Sequence, residues 1–133
     1  MAYLIGGLLA GAVGALGSVV GFDRDRAFYP TIMIVIALYY VLFAVMGGST
    51  HALFIEVAVA AVFLAAALVG FKGSLWLVVG ALAAHGVQDL FHGQLIVNPG
   101  VPAWWPAFCS AYDVVAAGYL AFLLLATERG HRA

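Results

Sequence analysis

Charged residues are scarce in this sequence. Only 8% of the 133 residues are Asp, Glu, Lys or Arg, whereas 66% are hydrophobic and the mean hydropathy is +1.13. A soluble domain of this length cannot bury so much apolar surface, so the composition predicts an integral membrane protein. The formal net charge of −1 provides no basic surface, which argues against nucleic acid as a partner.

Cysteine is nearly absent as well. Cys109 stands alone, so no disulfide can form within the chain. The opening residues, MAYLIGGLLA, lack the positive segment of a secretory signal, and we expect a membrane span there rather than a cleaved leader. No internal repeat is evident, and we predict a single domain over residues 1–133.

Long apolar runs, by contrast, fill the chain. A helix needs about 20 residues to cross roughly 30 Å of hydrocarbon. Five such runs are separated by polar joints, which predicts an all-α bundle of five transmembrane helices and a multi-pass protein of the cell membrane. The predicted spans are Ala2–Phe22, Phe28–Gly47, Ala52–Phe71, Ser74–Gly93 and Pro106–Thr127.

The basic residues predict the orientation of these spans. Arg24 and Arg26 lie in the first joint, Lys72 in the third, and Arg129 and Arg132 in the tail, so five spans place all of them on one side. Lys and Arg are retained in cytoplasmic segments. We therefore predict that the N-terminus is outside and the C-terminus is cytoplasmic.

The first span is rich in glycine, at positions 7, 11, 14, 17 and 21. Small residues at such spacing let helices approach closely. The simpler interpretation is packing within the bundle, and the alternative is a homodimer seam.

Ionisable residues inside the spans predict a functional site, because each is costly at membrane depth. The acids are Glu56, Asp89 and Asp113, and the histidines are His85 and His92. At about 1.5 Å per residue, Glu56 and Asp89 lie roughly 6–8 Å below the outer interface, and Asp113 about 10 Å below it. We expect the three acids to approach one another in the outer leaflet.

Helical spacing groups these residues further. Residues 85, 89 and 92 follow i, i+4, i+7 spacing and share one face of the fourth span, while Cys109 and Asp113 share a face of the fifth. Imidazoles with carboxylates suit a divalent metal such as zinc, iron or manganese. The predicted ligands are His85, Asp89, His92 and Asp113.

Several functions are compatible with this constellation. A metal-dependent enzyme acting on a lipid-like or small substrate would use Glu56 or Asp113 as its catalytic acid or base. The alternatives are a metal-free acid/base isomerase or apolar-ligand-binding protein, a small ion or metal transporter, and a purely structural network. Membrane lipids are the expected partners. Whether His51 and Cys109 join the site stays open at this stage.

Residues 85–113, HGVQDLFHGQLIVNPGVPAWWPAFCSAYD, resemble a family of uncharacterised small integral membrane proteins with a His-Asp-His helix, a proline-rich connection and a following Cys and Asp. The resemblance implies no reaction. It does imply that five residues act as a unit: His85, Asp89, His92, Cys109 and Asp113. A weaker likeness is to the membrane sterol isomerase and sigma-2 receptor superfamily. It implies an acid/base role for His85, Asp89 and Asp113, although the added His92 and the use of Asp throughout depart from that pattern.

Overall fold

The structure, a computed structural model, describes residues 1–130, and over that range it is helical with no strand. Arg132, which contributes to the orientation prediction, lies outside the described residues. The predicted all-α fold is confirmed, and each predicted span coincides with one helix to within a few residues. The helices are α1 (Ala2–Val20), α2 (Phe28–Met46), α3 (Thr50–Lys72), α4 (Trp76–Leu95) and α5 (Trp105–Gly130).

Four of these helices, α1, α2, α3 and α5, are long and apolar enough to cross a membrane. The remaining helix, α4, has 20 residues and sufficient length, but its second half carries His85, Gln88, Asp89 and His92, which lower its hydropathy. The helix outside this group of four is thus also the one that contributes most of the predicted site.

The joints show how the chain turns between helices. Gly21 ends α1 in the left-handed conformation at φ 90°, where glycine is favoured, and a short 3₁₀ helix, Phe22–Arg24, follows. The Arg26 guanidinium then donates to the carbonyl oxygens of Phe71 and Gly73, at 3.1 and 2.8 Å, at the end of α3. Those carbonyls have no partner within the helix, so the Arg26 side chain links the loop between α1 and α2 to the loop between α3 and α4.

Helix α4 contacts three of the other helices, α2, α3 and α5. Helices α1 and α4 pack along α5, α2 packs along α3, and α3 also contacts α4. At the closest approach of α1, a Cβ on Gly6 would lie 2.1 Å from the Phe108 carbonyl oxygen, and Gly14 and Gly17 pack against the rings of Tyr119 and Phe28. These three glycines therefore serve packing within the bundle, and the homodimer seam stays a prediction.

Candidate functional site

One face of α4 carries three buried ionisable side chains. His85, Asp89 and His92 are only 1%, 1% and 2% exposed. Their i, i+4, i+7 spacing places them on one stripe, and the bundle covers that stripe with α2, α3 and α5. The stripe nevertheless divides between two separate groups of partners.

The first, which we call the His85 group, consists of His85, Asp89, Cys109 and Asp113. The His85 Nδ1 atom lies 2.7 Å from Asp113 Oδ2 and 3.5 Å from Asp89 Oδ2. The Cys109 thiol approaches Asp113 Oδ2 at 4.0 Å. All four side chains are buried, and α4 and α5 contribute two each.

Three neighbouring residues shape this group. Tyr40 of α2 donates its hydroxyl proton to Asp89 Oδ1 at 2.7 Å. Gly86 lets α5 approach, because a Cβ there would lie 3.1 Å from the Ser110 carbonyl oxygen and 3.2 Å from Asp113 Cβ. The ring of Phe63 covers His85 edge-on, with ring centroids 4.8 Å apart.

Two carboxylate oxygens of the group, Asp89 Oδ2 and Asp113 Oδ1, are buried without a hydrogen-bond partner among the described residues. The Tyr29 hydroxyl, the Gln88 amide nitrogen and the Trp105 indole nitrogen share this condition, so a missing partner does not by itself mark a site. The two carboxylates differ from these three groups because Asp89 and Asp113 both approach the same nitrogen, His85 Nδ1. Two acids thus face one cationic partner at most, and burial of uncompensated negative charge is costly.

The His85 group has the dimensions of a metal site. One ligand atom from each of its four residues lies within 4.8 Å of the others. At zinc bond lengths of about 2.0–2.3 Å, tetrahedral ligand atoms are roughly 3.3–3.8 Å apart, so small side-chain shifts suffice to close the shell. Nitrogen, sulfur and carboxylate oxygen are all accepted ligands for such an ion.

The second group, which we call the Glu56 group, consists of Glu56, His92 and Asn98. Glu56 Oε1 lies 2.8 Å from His92 Nε2 and accepts a 2.9 Å hydrogen bond from the Asn98 amide. Asn98 Nδ2 also donates to the backbone oxygen of Tyr40 at 3.1 Å. Glu56 is 1% exposed, and its contacts with His92 and Asn98 are both made to its Oε1 atom.

Tyr40 separates the two groups. Its ring stacks on His92 with centroids 4.1 Å apart and planes inclined by 23°, while its hydroxyl binds Asp89. His92 therefore shares a helical face with His85 but directs its Nε2 atom at Glu56. Of the predicted metal ligands, the structure brings His85, Asp89 and Asp113 together and places His92 in the other group. Glu56, predicted to approach the two aspartates, instead pairs with His92.

The sequence left Cys109 undecided and gave no role to Asn98 or Tyr40. Cys109 belongs to the His85 group, as its i, i+4 spacing from Asp113 allowed. Asn98 precedes Pro99 and Gly100 in the loop before α5. The Pro-Gly pair is typical of a turn, and it is the one sequence signal that indicates a defined conformation for this segment. His51 is exposed at the start of α3 and belongs to neither group.

A scan of protein-family models, a search of curated proteins and a search of solved structures each find no match to this chain. Function is therefore inferred from the chemistry of the site itself.

Proposed function

We propose that this chain is an integral membrane protein that binds one divalent metal ion between His85, Asp89, Cys109 and Asp113. The observation that supports it most is the set of four buried ligand atoms within 4.8 Å of one another, two of the side chains having an unpartnered carboxylate oxygen. A cation would neutralise the two acids where no solvent does so. Cys109 thus takes the place that the sequence assigned to His92.

Membrane placement is part of the proposal. All five helices would cross the bilayer, including α4, whose polar face is turned into the bundle. The contacts of Arg26 with the end of α3 and of Trp76 with Glu128 gather the basic joints and the end of α5 at one end of the bundle. Under the positive-inside rule this end is cytoplasmic, which leaves the N-terminus outside.

The donor set favours zinc or iron over manganese, because a thiolate ligand is soft and manganese prefers oxygen. Binding is the function we propose. Glu56, the predicted base for a hydrolytic reaction, is held by His92 and Asn98 on the far side of Tyr40, so the geometry favours Asp113 over Glu56 as a residue acting at the ion.

The first test is elemental analysis of protein purified without added metal. We expect about one zinc or iron per chain, and His85→Ala should remove most of it. His51→Ala is the matched control, because it removes an exposed histidine outside both groups. Metal added at about 100-fold above its Kd should stabilise the folded protein by about 2.7 kcal/mol. Absence of metal, with no thermal response to zinc, iron, manganese or copper, would contradict the proposal.

A second comparison identifies the ligands. Cys109→Ser should weaken metal binding by about tenfold or more, whereas His92→Gln should leave it nearly unchanged. The reverse result would restore His92 to the shell and exclude Cys109.

A metal-free acid/base or ligand-binding protein is the second candidate. The 2.7 Å contact between His85 and Asp113 favours it, because an oriented imidazole and carboxylate in a dry site can move a proton on an apolar substrate. The likeness to the sterol isomerase superfamily implies the same set of residues. Metal-free protein that retains its fold and a functional requirement for His85 would support this candidate.

A transporter is the third candidate, and the packing gives it little support. Most side chains buried in the other half of the bundle, such as Ala67, Val78 and Leu82, are apolar, and Tyr29 contributes a buried hydroxyl there. Among the described residues, a conducted ion would meet no buried acid or histidine in that half.

A further inference from the structure

A cleft of about 400 Å³ opens between α1, α2 and α5. It exists because α1 packs along α5 while α2 packs along α3, so the first two helices have little contact with each other. They meet near their joint, where the Phe28 ring closes on Gly17, and diverge away from it. The side chains that line the cleft are Leu9, Thr31, Ile32, Val35, Ile36, Tyr39, Trp105, Phe108, Cys109 and Tyr112.

The cleft is elongated along the helix axes. Its α2 wall runs from Thr31 to Tyr39, which is about 12 Å at 1.5 Å per residue, and its α5 wall runs from Trp105 to Tyr112, about 10 Å. A single hydrocarbon chain lying parallel to the helices matches this shape.

The cleft also has polar groups that need a partner. Tyr39 and Tyr112 both place side chains in its wall, and among the described residues neither hydroxyl makes a hydrogen bond to the protein. In a hydrocarbon environment water does not replace such a bond. A ligand with a small oxygen-bearing head group would supply it.

The floor of the cleft reaches the His85 group. Cys109 lies midway along the α5 wall, and its thiol approaches Asp113 Oδ2 at 4.0 Å on the inner side. Cys109 therefore belongs both to the wall of the cleft and to the candidate metal site, so a molecule in the cleft would lie against a member of the His85 group.

From these observations we propose that the cleft binds a single-chain lipid, a hydrocarbon chain with a small oxygen-bearing head group, and presents it to the His85 group. The inference deepens the proposed function by naming the class of molecule that reaches the site. It rests on the membrane placement proposed above and does not require the metal.

Photo-crosslinking tests the proposal. Palmitic acid carrying a diazirine on its chain is added to the full chain in phosphatidylcholine vesicles, and labelled peptides are identified by mass spectrometry. We expect adducts on the α2 and α5 walls, which excess unlabelled palmitic acid removes. Val35→Phe fills the cleft and should lower labelling about tenfold. Val62→Phe is the matched control, because Val62 is exposed on α3 away from the cleft and should label as the parent does.

Adducts spread over all lipid-facing helices, unchanged by Val35→Phe and by the competitor, would overturn the proposal. So would efficient disulfide crosslinking of two Val35→Cys chains at low protein-to-lipid ratio, which would make the cleft a subunit contact. Metal content measured on the same samples separates the two hypotheses. Metal without specific labelling overturns only the lipid site, and specific labelling without metal overturns only the metal site.

Discussion

At the scale of single residues, Tyr40 has the most unusual position. It is 2% exposed, its hydroxyl donates to Asp89, its ring stacks on His92, and its backbone oxygen accepts from Asn98. One residue of α2 thus contacts both polar groups through three different parts of its structure. It separates the two carboxylate networks, so His92 faces Glu56 whereas His85 faces both Asp89 and Asp113.

This position predicts the effect of removing one oxygen atom. Tyr40→Phe keeps the stacked ring but leaves Asp89 Oδ1 buried without a donor, which should cost about 1–3 kcal/mol and lower the melting temperature in detergent. Tyr3→Phe makes the same change on an exposed tyrosine and should shift stability by less than about 0.5 kcal/mol. Equal melting temperatures for Tyr40→Phe and the parent would mean that the hydroxyl does not stabilise Asp89.

At the scale of helices, glycine decides how closely elements approach. Gly6 on α1 faces the backbone of α5, whereas a Cβ on Gly11 of the same helix would meet nothing within 4 Å. Two glycines five residues apart thus differ in function: one permits a helix contact, and the other only lowers helix propensity.

The pair gives a matched prediction. Gly6→Ala should separate α1 from α5 and destabilise the bundle by about 1–3 kcal/mol, as overpacking does. Gly11→Ala should be neutral or stabilise by up to about 1 kcal/mol through helix propensity. Thermal unfolding measures both, and light scattering reports the oligomeric state. Loss of a dimer on Gly11→Ala, with Gly6→Ala tolerated, would support the homodimer seam instead.

A close backbone contact at Gly100, in the loop before α5, predicts that alanine is not tolerated there either. A Cβ on Gly100 would lie 1.8 Å from the Phe43 carbonyl oxygen, and the Gly100 N–H donates to Asn98 Oδ1. Gly100→Ala should therefore displace the loop, withdraw Asn98 from Glu56 and lower the melting temperature. Gly93→Ala, on an exposed face of α4 with open space around it, should be tolerated. Comparable losses from the two variants would show that the loop is not fixed by Gly100.

At the scale of the whole molecule, the two ends of the bundle differ in chemistry. One end carries Arg26 and Glu128, and the opposite end carries the loop with Trp104 and the start of α3. Both polar groups involve the second half of α4, and therefore lie toward the latter end. The asymmetry is what a fixed orientation in a bilayer requires.

Reporter fusions test that orientation. A fluorescent protein fused to the C-terminus should fluoresce, and alkaline phosphatase fused at the same point should be inactive, because the C-terminus is predicted to be cytoplasmic. As a control, phosphatase fused after Gly47, in the second joint, should be active outside. Active phosphatase at the C-terminus would reverse the topology and place both polar groups in the inner leaflet.

The sequence alone determined the helices and the buried stripe. Apolar runs of bilayer length specify five helices because backbone polar groups in hydrocarbon must bond within their own segment. The cost of exposing charge to lipid turns His85, Asp89 and His92 inward, and the 3.6-residue period places them on one face. Both expectations depend only on local spacing and composition.

Only the tertiary structure decided which acid faces which histidine. Helical periodicity sets the direction of a side chain on its own helix, but the partner depends on how neighbouring helices are rotated and shifted, and that is set by close contacts such as Gly86 against Ser110. These contacts bring Cys109 and Asp113 to His85, whereas the path of the loop through Gly100 brings Asn98 to Glu56. A hydropathy pattern predicts neither the approach of Cys109 and Asp113 to His85 nor that of Asn98 to Glu56, because both arise from packing between segments far apart in the chain.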